Sequence, residues 1–186
     1  MSEQDGQYEF DGAVSVAGAP QDVLRALVAP DLMARWMVGV ASVSPLAGEG
    51  GGVGSQVEVV ARLDSRYGSA GWRYRGEVTE RSATTLVRDY QLSEARAGVI
   101  PLRASPARYT RTVRYTLRPN GDRTDVHCTV TTVIPGLARA AARRGAHSEA
   151  RSLDCSLQQL RGLVEGAANP GLLRRLRASG QSPQPL

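Results

Sequence analysis

Two arginines set among tyrosines are the residues of this chain whose types and spacing could do chemistry. Side chains alternate between the faces of a strand, so in TLVRDYQL the residues Leu86, Arg88, Tyr90 and Leu92 share one side. In RYTRTVRYTL, Tyr109, Arg111, Val113, Tyr115 and Leu117 do the same. Each arginine therefore falls on a face that is otherwise apolar and tyrosine-bearing. A guanidinium in such a place is costly unless an acid or a hydrogen-bonding group meets it. The partner is either an acid of the chain itself, with Asp154 the candidate, or the carboxylate, enolate or phenolate of a bound molecule. A one-residue bulge would turn both arginines out to water and end this reading.

Other chemistry is poorly served. All 23 basic residues are Arg, so neither a Schiff-base lysine nor a phosphate-loop lysine exists. The two histidines and two cysteines show no metal-ligand spacing, and neither a metal nor a cofactor is expected. His127 alternates outward beside Cys128. The glycine-rich GEGGGVGSQ (48–56) lacks the lysine and the strand-to-helix setting of a phosphate loop, and is read as a hairpin over a cavity mouth. Residues 1–95 carry 8 Arg against 13 acids, and residues 96–186 carry 15 Arg against 5. The basic residues of the second half are scattered apart from Arg174, Arg175 and Arg177, so a solvated surface is favoured over nucleic-acid binding.

The elements that must position these side chains follow from periodicity. Tyr8, Phe10, Val14 and Val16 alternate as a strand. Pro20 opens a short helix striped by Val23, Leu24, Leu27 and Val28, Pro30 stops it, and a second short helix carries Leu32, Met33, Trp36 and Met37. Six strands are expected near 39–46, 55–63, 71–81, 84–92, 107–118 and 124–134, with Pro119-Asn120-Gly121-Asp122 as a hairpin turn. A helix over about 137–164 follows, apolar at Ala146, Ala150, Leu153, Leu157, Leu160 and Val164, and ended by Gly166 and Asn169-Pro170-Gly171. An antiparallel sheet with one apolar face needs a cover, and this helix is the only element large enough. A curved sheet around one helix leaves a cavity where the helix side chains are small, which is its first half. Alternation aims Trp72, Tyr74, Gly76 and Val78 inward, together with Val126, Cys128, Val130, Thr132 and Ile134 on the last strand. Met33, Trp36 and Met37 close one end, and His147 stands beside the helix stripe near the mouth.

In this order of elements the chain resembles the START-like (SRPBCC) superfamily and, within it, the polyketide cyclase/dehydrase-like group, across residues 8–166. The anchors are SVAGAPQDVLRALVAPDLMARWM (15–37) and LDCSLQQLRGLVEG (153–166). The resemblance implies an α+β helix-grip fold: seven antiparallel strands curved around a long C-terminal helix, with two short helices between the first two strands. Residues 1–7 are expected to be disordered and 167–186 to form a flexible basic tail. The implied ligand is a small hydrophobic or aromatic molecule, polyketide- or lipid-like, held by a carrier or sequestering protein. The contact set would be Met33, Trp36, Met37, Trp72, Tyr74, Arg88, Tyr90, Tyr109, Arg111, Val113, Tyr115, Cys128, Thr132, His147, Ala150 and Asp154. If the protein is instead a cyclase or dehydratase, Arg88, Arg111 and Tyr90 are the catalytic candidates, the arginines stabilising an enolate and a tyrosine donating a proton. An interaction module using the basic tail is the third reading. A cytoplasmic monomer or homodimer without a transmembrane segment is expected.

Overall fold

In the computed structural model the described residues are 7–48, 50–65, 68–97, 109–133 and 139–168. Strand β1 (Gln7–Ala17) leads into helices α1 (Pro20–Val28) and α2 (Pro30–Trp36). Strands β2 (Val40–Ala47), β3 (Gln56–Ser65), β4 (Gly68–Arg81), β5 (Thr85–Ala97), β6 (Thr110–Asn120) and β7 (Arg123–Val133) follow, and helix α3 (Arg139–Ala168) comes last. All seven strands form one antiparallel sheet in the order β1-β7-β6-β5-β4-β3-β2. Every neighbouring pair from β2 to β7 is consecutive in the chain; β1 alone pairs far away, with Gln7 opposite Val133 and Ala17 opposite Arg123. This is the expected helix-grip arrangement.

Local chemistry explains the joints. Pro20 and Pro30 each begin a helix, and Ala29, in extended conformation, serves as C-cap of α1 and N-cap of α2. The Trp36 indole Nε1 donates to the Ala26 carbonyl at 2.9 Å, which folds α2 against α1. The hairpin β6–β7 turns on Gly121-Asp122, with Gly121 at φ +63°. Helix α3 lies closest to the sheet at β1, where only a hydrogen at Gly12 leaves room: a methyl there would come within 3.0 Å of Leu157.

Two expectations need correcting, along with the bounds of the expected tails. Helix α3 passes through Gly166 and runs to Ala168, because a glycine weakens a helix without having to end it. The glycine-rich turn joins β2 and β3 as a hairpin, but not over the cavity mouth. It docks on the end of α1, with Gly51 at φ +68° pressed so close to Val28 that a methyl would meet its Cβ at 2.3 Å. The turn is tied down by Gly54 N–H donating to the Val78 carbonyl and by Arg81 donating to the Gly50 carbonyl. Of the expected tails, 1–7 and 167–186, Gln7 begins β1 and residues 167 and 168 end α3; residues 1–6 and 169–186 lie outside the described residues, as does Ile134.

The apolar residues of α1, α2 and α3 meet the inner face of the sheet in one core that includes Val16, Leu27, Met33, Leu86, Leu117, Val126 and Leu160. Among the described residues no helix is long and apolar enough to cross a membrane.

Candidate functional site

Between the inner face of the sheet and α3 lies a cavity of about 440 Å³. One wall is the strand row of Trp72, Tyr74, Tyr90, Tyr109, Arg111, Val113 and Tyr115, all read from the sequence as facing inward. Trp36 and Met37 close the end as expected, continued by the Val38-Gly39-Val40 link. The Trp36 and Tyr115 rings meet edge to face with centroids 6.4 Å apart, and Tyr74 and Tyr109 lie 5.8 Å apart.

The bulges that threatened the arginine reading exist, but not where they would matter. In the β4–β5 ladder Thr79 and Ser93 are the extra residues, whereas β5–β6 pairs without interruption from Thr85↔Thr116 to Gln91↔Thr110. The alternation through Arg88, Tyr90, Arg111 and Val113 is therefore intact.

The two guanidinium groups meet different surroundings, and only that of Arg111 lines the cavity; Arg88 lies behind the lining, beside Tyr90. Arg111 is bound by Glu149 of α3, Nη2 to Oε2 at 2.5 Å, and its guanidinium carbon stands 5.8 Å from the Tyr109 ring centre. Burial, the largest single influence, opposes its charge, but Glu149 together with Tyr109, Tyr74 and Tyr8 outweighs it and raises the pKa of the arginine. Arg88 is only 3% exposed, and among the described residues no carboxylate lies within ion-pair distance of it. Its Nη1 meets the Met33 sulfur at 3.0 Å, the Tyr90 hydroxyl at 3.4 Å and the Leu27 carbonyl at 3.5 Å, and its Nε has no partner. Gly76, opposite Tyr90 on β4, makes this stacking possible: a methyl would stand 2.5 Å from the Tyr90 ring and 3.1 Å from Arg88 Cδ.

Other candidates fall behind the lining. Met33 and Cys128 are buried, Cys128 beneath Tyr115, and burial pushes its thiol up to about 12. Burial likewise raises the Tyr115 phenol well above its usual range. Thr132 is fully buried on the row between Tyr8 and Arg111. Ala150 is half-buried on α3 outside the lining, and the side chain of His147 lies outside the described residues. Asp154 is exposed and is not the partner of either arginine. Five helical positions from Glu149, it is turned about 140° away around the axis, whereas Ser152, Leu153 and Ser156 share Glu149's side and line the cavity. The Ser156 hydroxyl donates to the Ser152 carbonyl at 2.7 Å and accepts the Val38 N–H at 3.0 Å, pinning the link after α2 to α3. Sequence reasoning missed Glu149, Ser152 and Ser156, as well as Phe10, Val59 and Ala61 of the lining. Glu149 stands one turn before Leu153 of the stripe read, and that spacing was the signal available for it.

A second depression, of about 540 Å³, lies on the outer face among Ser15, Thr116, Arg118, Asp125 and His127. Its lining is the solvent side of the sheet, where His127 stands 3.6 Å from Asp11. Among the described residues no group of three or more His, Cys, Asp or Glu could hold a metal ion.

A family model described as "Polyketide cyclase / dehydrase and lipid transport" matches residues 7–165. The chain belongs to that family. With it comes membership of the SRPBCC superfamily. Solved structures agree on the fold. A conserved protein from Geobacillus kaustophilus aligns with TM-score 0.64 at 14% identity, covering 87% of this chain and 97% of its own. The Zhui aromatase/cyclase from Streptomyces sp. R1128 aligns with TM-score 0.60 at 17% identity, covering 95% and 99%. The Ara h 8.0201 protein aligns with TM-score 0.56 at 15% identity, covering 86% and 98%. No curated protein matches the chain.

Proposed function

We propose that this family member binds a small hydrophobic or partly aromatic metabolite, polyketide- or lipid-like, in the cavity, as a carrier or sequestering protein. The observation that carries the reading is the space of about 440 Å³ between sheet and α3, walled by Trp36, Trp72, Tyr74 and Tyr115. Small-molecule sites are concave, mostly apolar and furnished with a few placed polar groups. The family description, which joins cyclases with lipid transport, supports a ligand of this class.

Arg88 favours a second reading, a cyclase or dehydratase. Arg88 is a buried cation without a carboxylate nearby, set behind Tyr90 of the lining, so it would act on a developing enolate through the Tyr90 hydroxyl 3.4 Å away, which would be the proton donor. Arg111 would orient the chain of the substrate. The third reading, an interaction module, rests on residues 167–186, of which 169–186 lie outside the described part.

A thermal-shift screen of aromatic polyketides, sterols and fatty acids on the wild type and on Arg88→Met tests the choice. A ligand at a hundred times its Kd stabilises by about 2.7 kcal/mol. Aromatic polyketides that stabilise the wild type but not the variant support the Arg88-dependent reading, and turnover assays follow. Equal responses leave a carrier with an apolar grip. No response from any class removes the cavity reading.

A further inference from the structure

Among the described residues the lining of the cavity holds two charged side chains, Arg111 of β6 and Glu149 of α3, and they are paired with each other. Arg111 Nη2 donates to Glu149 Oε2 at 2.5 Å. That contact uses one nitrogen of the guanidinium and one oxygen of the carboxylate. Arg111 Nε is closed off without a partner, but Arg111 Nη1 and Glu149 Oε1 are not closed off. Neither of these two atoms makes a hydrogen bond among the described residues. The two side chains keep 25% and 32% of their exposure, so a molecule in the cavity can reach them.

A guanidinium N–H can only donate, and a carboxylate oxygen can only accept. The pair therefore offers a ligand one donor and one acceptor, held near each other by the contact between Nη2 and Oε2. A ligand carboxylate drawn to Arg111 is repelled by Glu149, and an ammonium drawn to Glu149 is repelled by Arg111. A carbonyl or an ether satisfies Nη1 but leaves Oε1 facing it without a donor, which costs the carboxylate its water for nothing in return. A hydroxyl serves both atoms, because its oxygen accepts while its hydrogen is donated.

We propose that the Arg111–Glu149 pair is the site for a neutral hydroxyl of the ligand, a phenol or an alcohol, which accepts from Arg111 Nη1 and donates to Glu149 Oε1. This rests on the cavity being a ligand site. It deepens that reading by turning the hydroxylated edge of the ligand toward α3 and the apolar remainder toward the rings of the sheet.

The test compares three probes of similar size by calorimetry at pH 7: 2-naphthol, 2-methylnaphthalene and 2-naphthoate. Hydrogen bonds to charged groups predict that the wild type binds 2-naphthol about tenfold more tightly than 2-methylnaphthalene, and more tightly than 2-naphthoate. Glu149→Leu leaves Arg111 without its anion, so 2-naphthoate gains about tenfold or more while 2-naphthol weakens. The double variant Arg111→Met with Glu149→Leu removes both charges and leaves no unpaired ion to unsettle the fold. In it the preference for 2-naphthol disappears, while 2-methylnaphthalene binds at least as tightly as before. Equal wild-type binding of 2-naphthol and 2-methylnaphthalene overturns the hydroxyl site and leaves the cavity reading standing. So does a preference that survives in the double variant, since it then belongs to the tyrosine hydroxyls of the lining. Wild-type binding of 2-naphthoate as tight as that of 2-naphthol, or no gain of 2-naphthoate in Glu149→Leu, overturns the part given to Glu149. Binding of none of the three probes by the wild type overturns the cavity reading itself.

Discussion

At the scale of single residues, the contrast between Arg88 and Arg111 organises the site. Both stand on the same sheet face, but α3 supplies a carboxylate only to Arg111. A buried charge held by weak contacts to a sulfur, a phenol and a carbonyl is a cost borne by the folded state. Arg88→Met, similar in length and apolar, is therefore expected to stabilise the ligand-free protein by about 1–3 kcal/mol, raising Tm by several degrees. Differential scanning calorimetry checks it, and a lower Tm would mean that the three contacts outweigh the desolvation. The inward direction of Arg88 and Arg111 was legible from period-two alternation alone. The partner of Arg111 was not. Asp154 lies within the helix stretch that resembles the family, but the facing side of a helix is set by its rotation against the sheet. Here the close approach at Gly12 fixes that rotation, and nothing local to α3 reports it.

At the scale of elements, a glycine and a bulge meet on β4. The extra residue Thr79 follows Val78, and two residues before Val78 the bare Gly76 accepts the Tyr90 ring. Gly76→Ala forces that ring to move by an ångström or so, since real side-chain carbons do not approach to 2.5 Å. The expected cost is about 1–3 kcal/mol, read from the midpoint of urea unfolding. The displaced phenol intrudes on the cavity, so the largest ligands suffer most. Element types and their order were readable because hairpin turns, helix-starting prolines and apolar periods each act within a few residues. Boundaries were not: β5 continues to Ala97 and β4 begins at Gly68, since ladder pairing with a neighbour extends a strand beyond its own propensity. The docking of the glycine turn on α1 was equally hidden, being decided by Val28, more than twenty residues away.

At the scale of the whole molecule, the grip of α3 on the sheet is closed at its C-terminal end by Glu165. Its carboxylate accepts the Ala17 backbone N–H at 3.0 Å and faces Arg123 and Arg161. The Ala17 bond, ahead of the arginines, lowers its pKa from 4.5. A carboxyl whose pKa is depressed on folding adds stability above its unfolded value and loses it as pH falls through the folded one. The wild type is thus expected to lose stability more steeply than Glu165→Gln as pH drops below about 4.5, and the two melting curves should converge in stronger acid. Parallel curves across that range would show that the carboxylate carries no charge-dependent part of the closure.

The pairing of β1 with β7 also sets a timetable. Six strands can zip up one hairpin at a time, each nucleated by a short turn, but the strand made first has no neighbour until the strand made last has emerged. Gln7 waits for Val133, and Gly12 waits longer still, for Leu157. Contacts of such separation delay the rate-limiting step of folding, and a sheet closed this way belongs with the slower folders, in milliseconds to seconds. Until then the edge of β7 stands open and the arginines of the inner face are wet. The cavity takes shape, and the buried charge is desolvated, only when β1 and α3 have both docked.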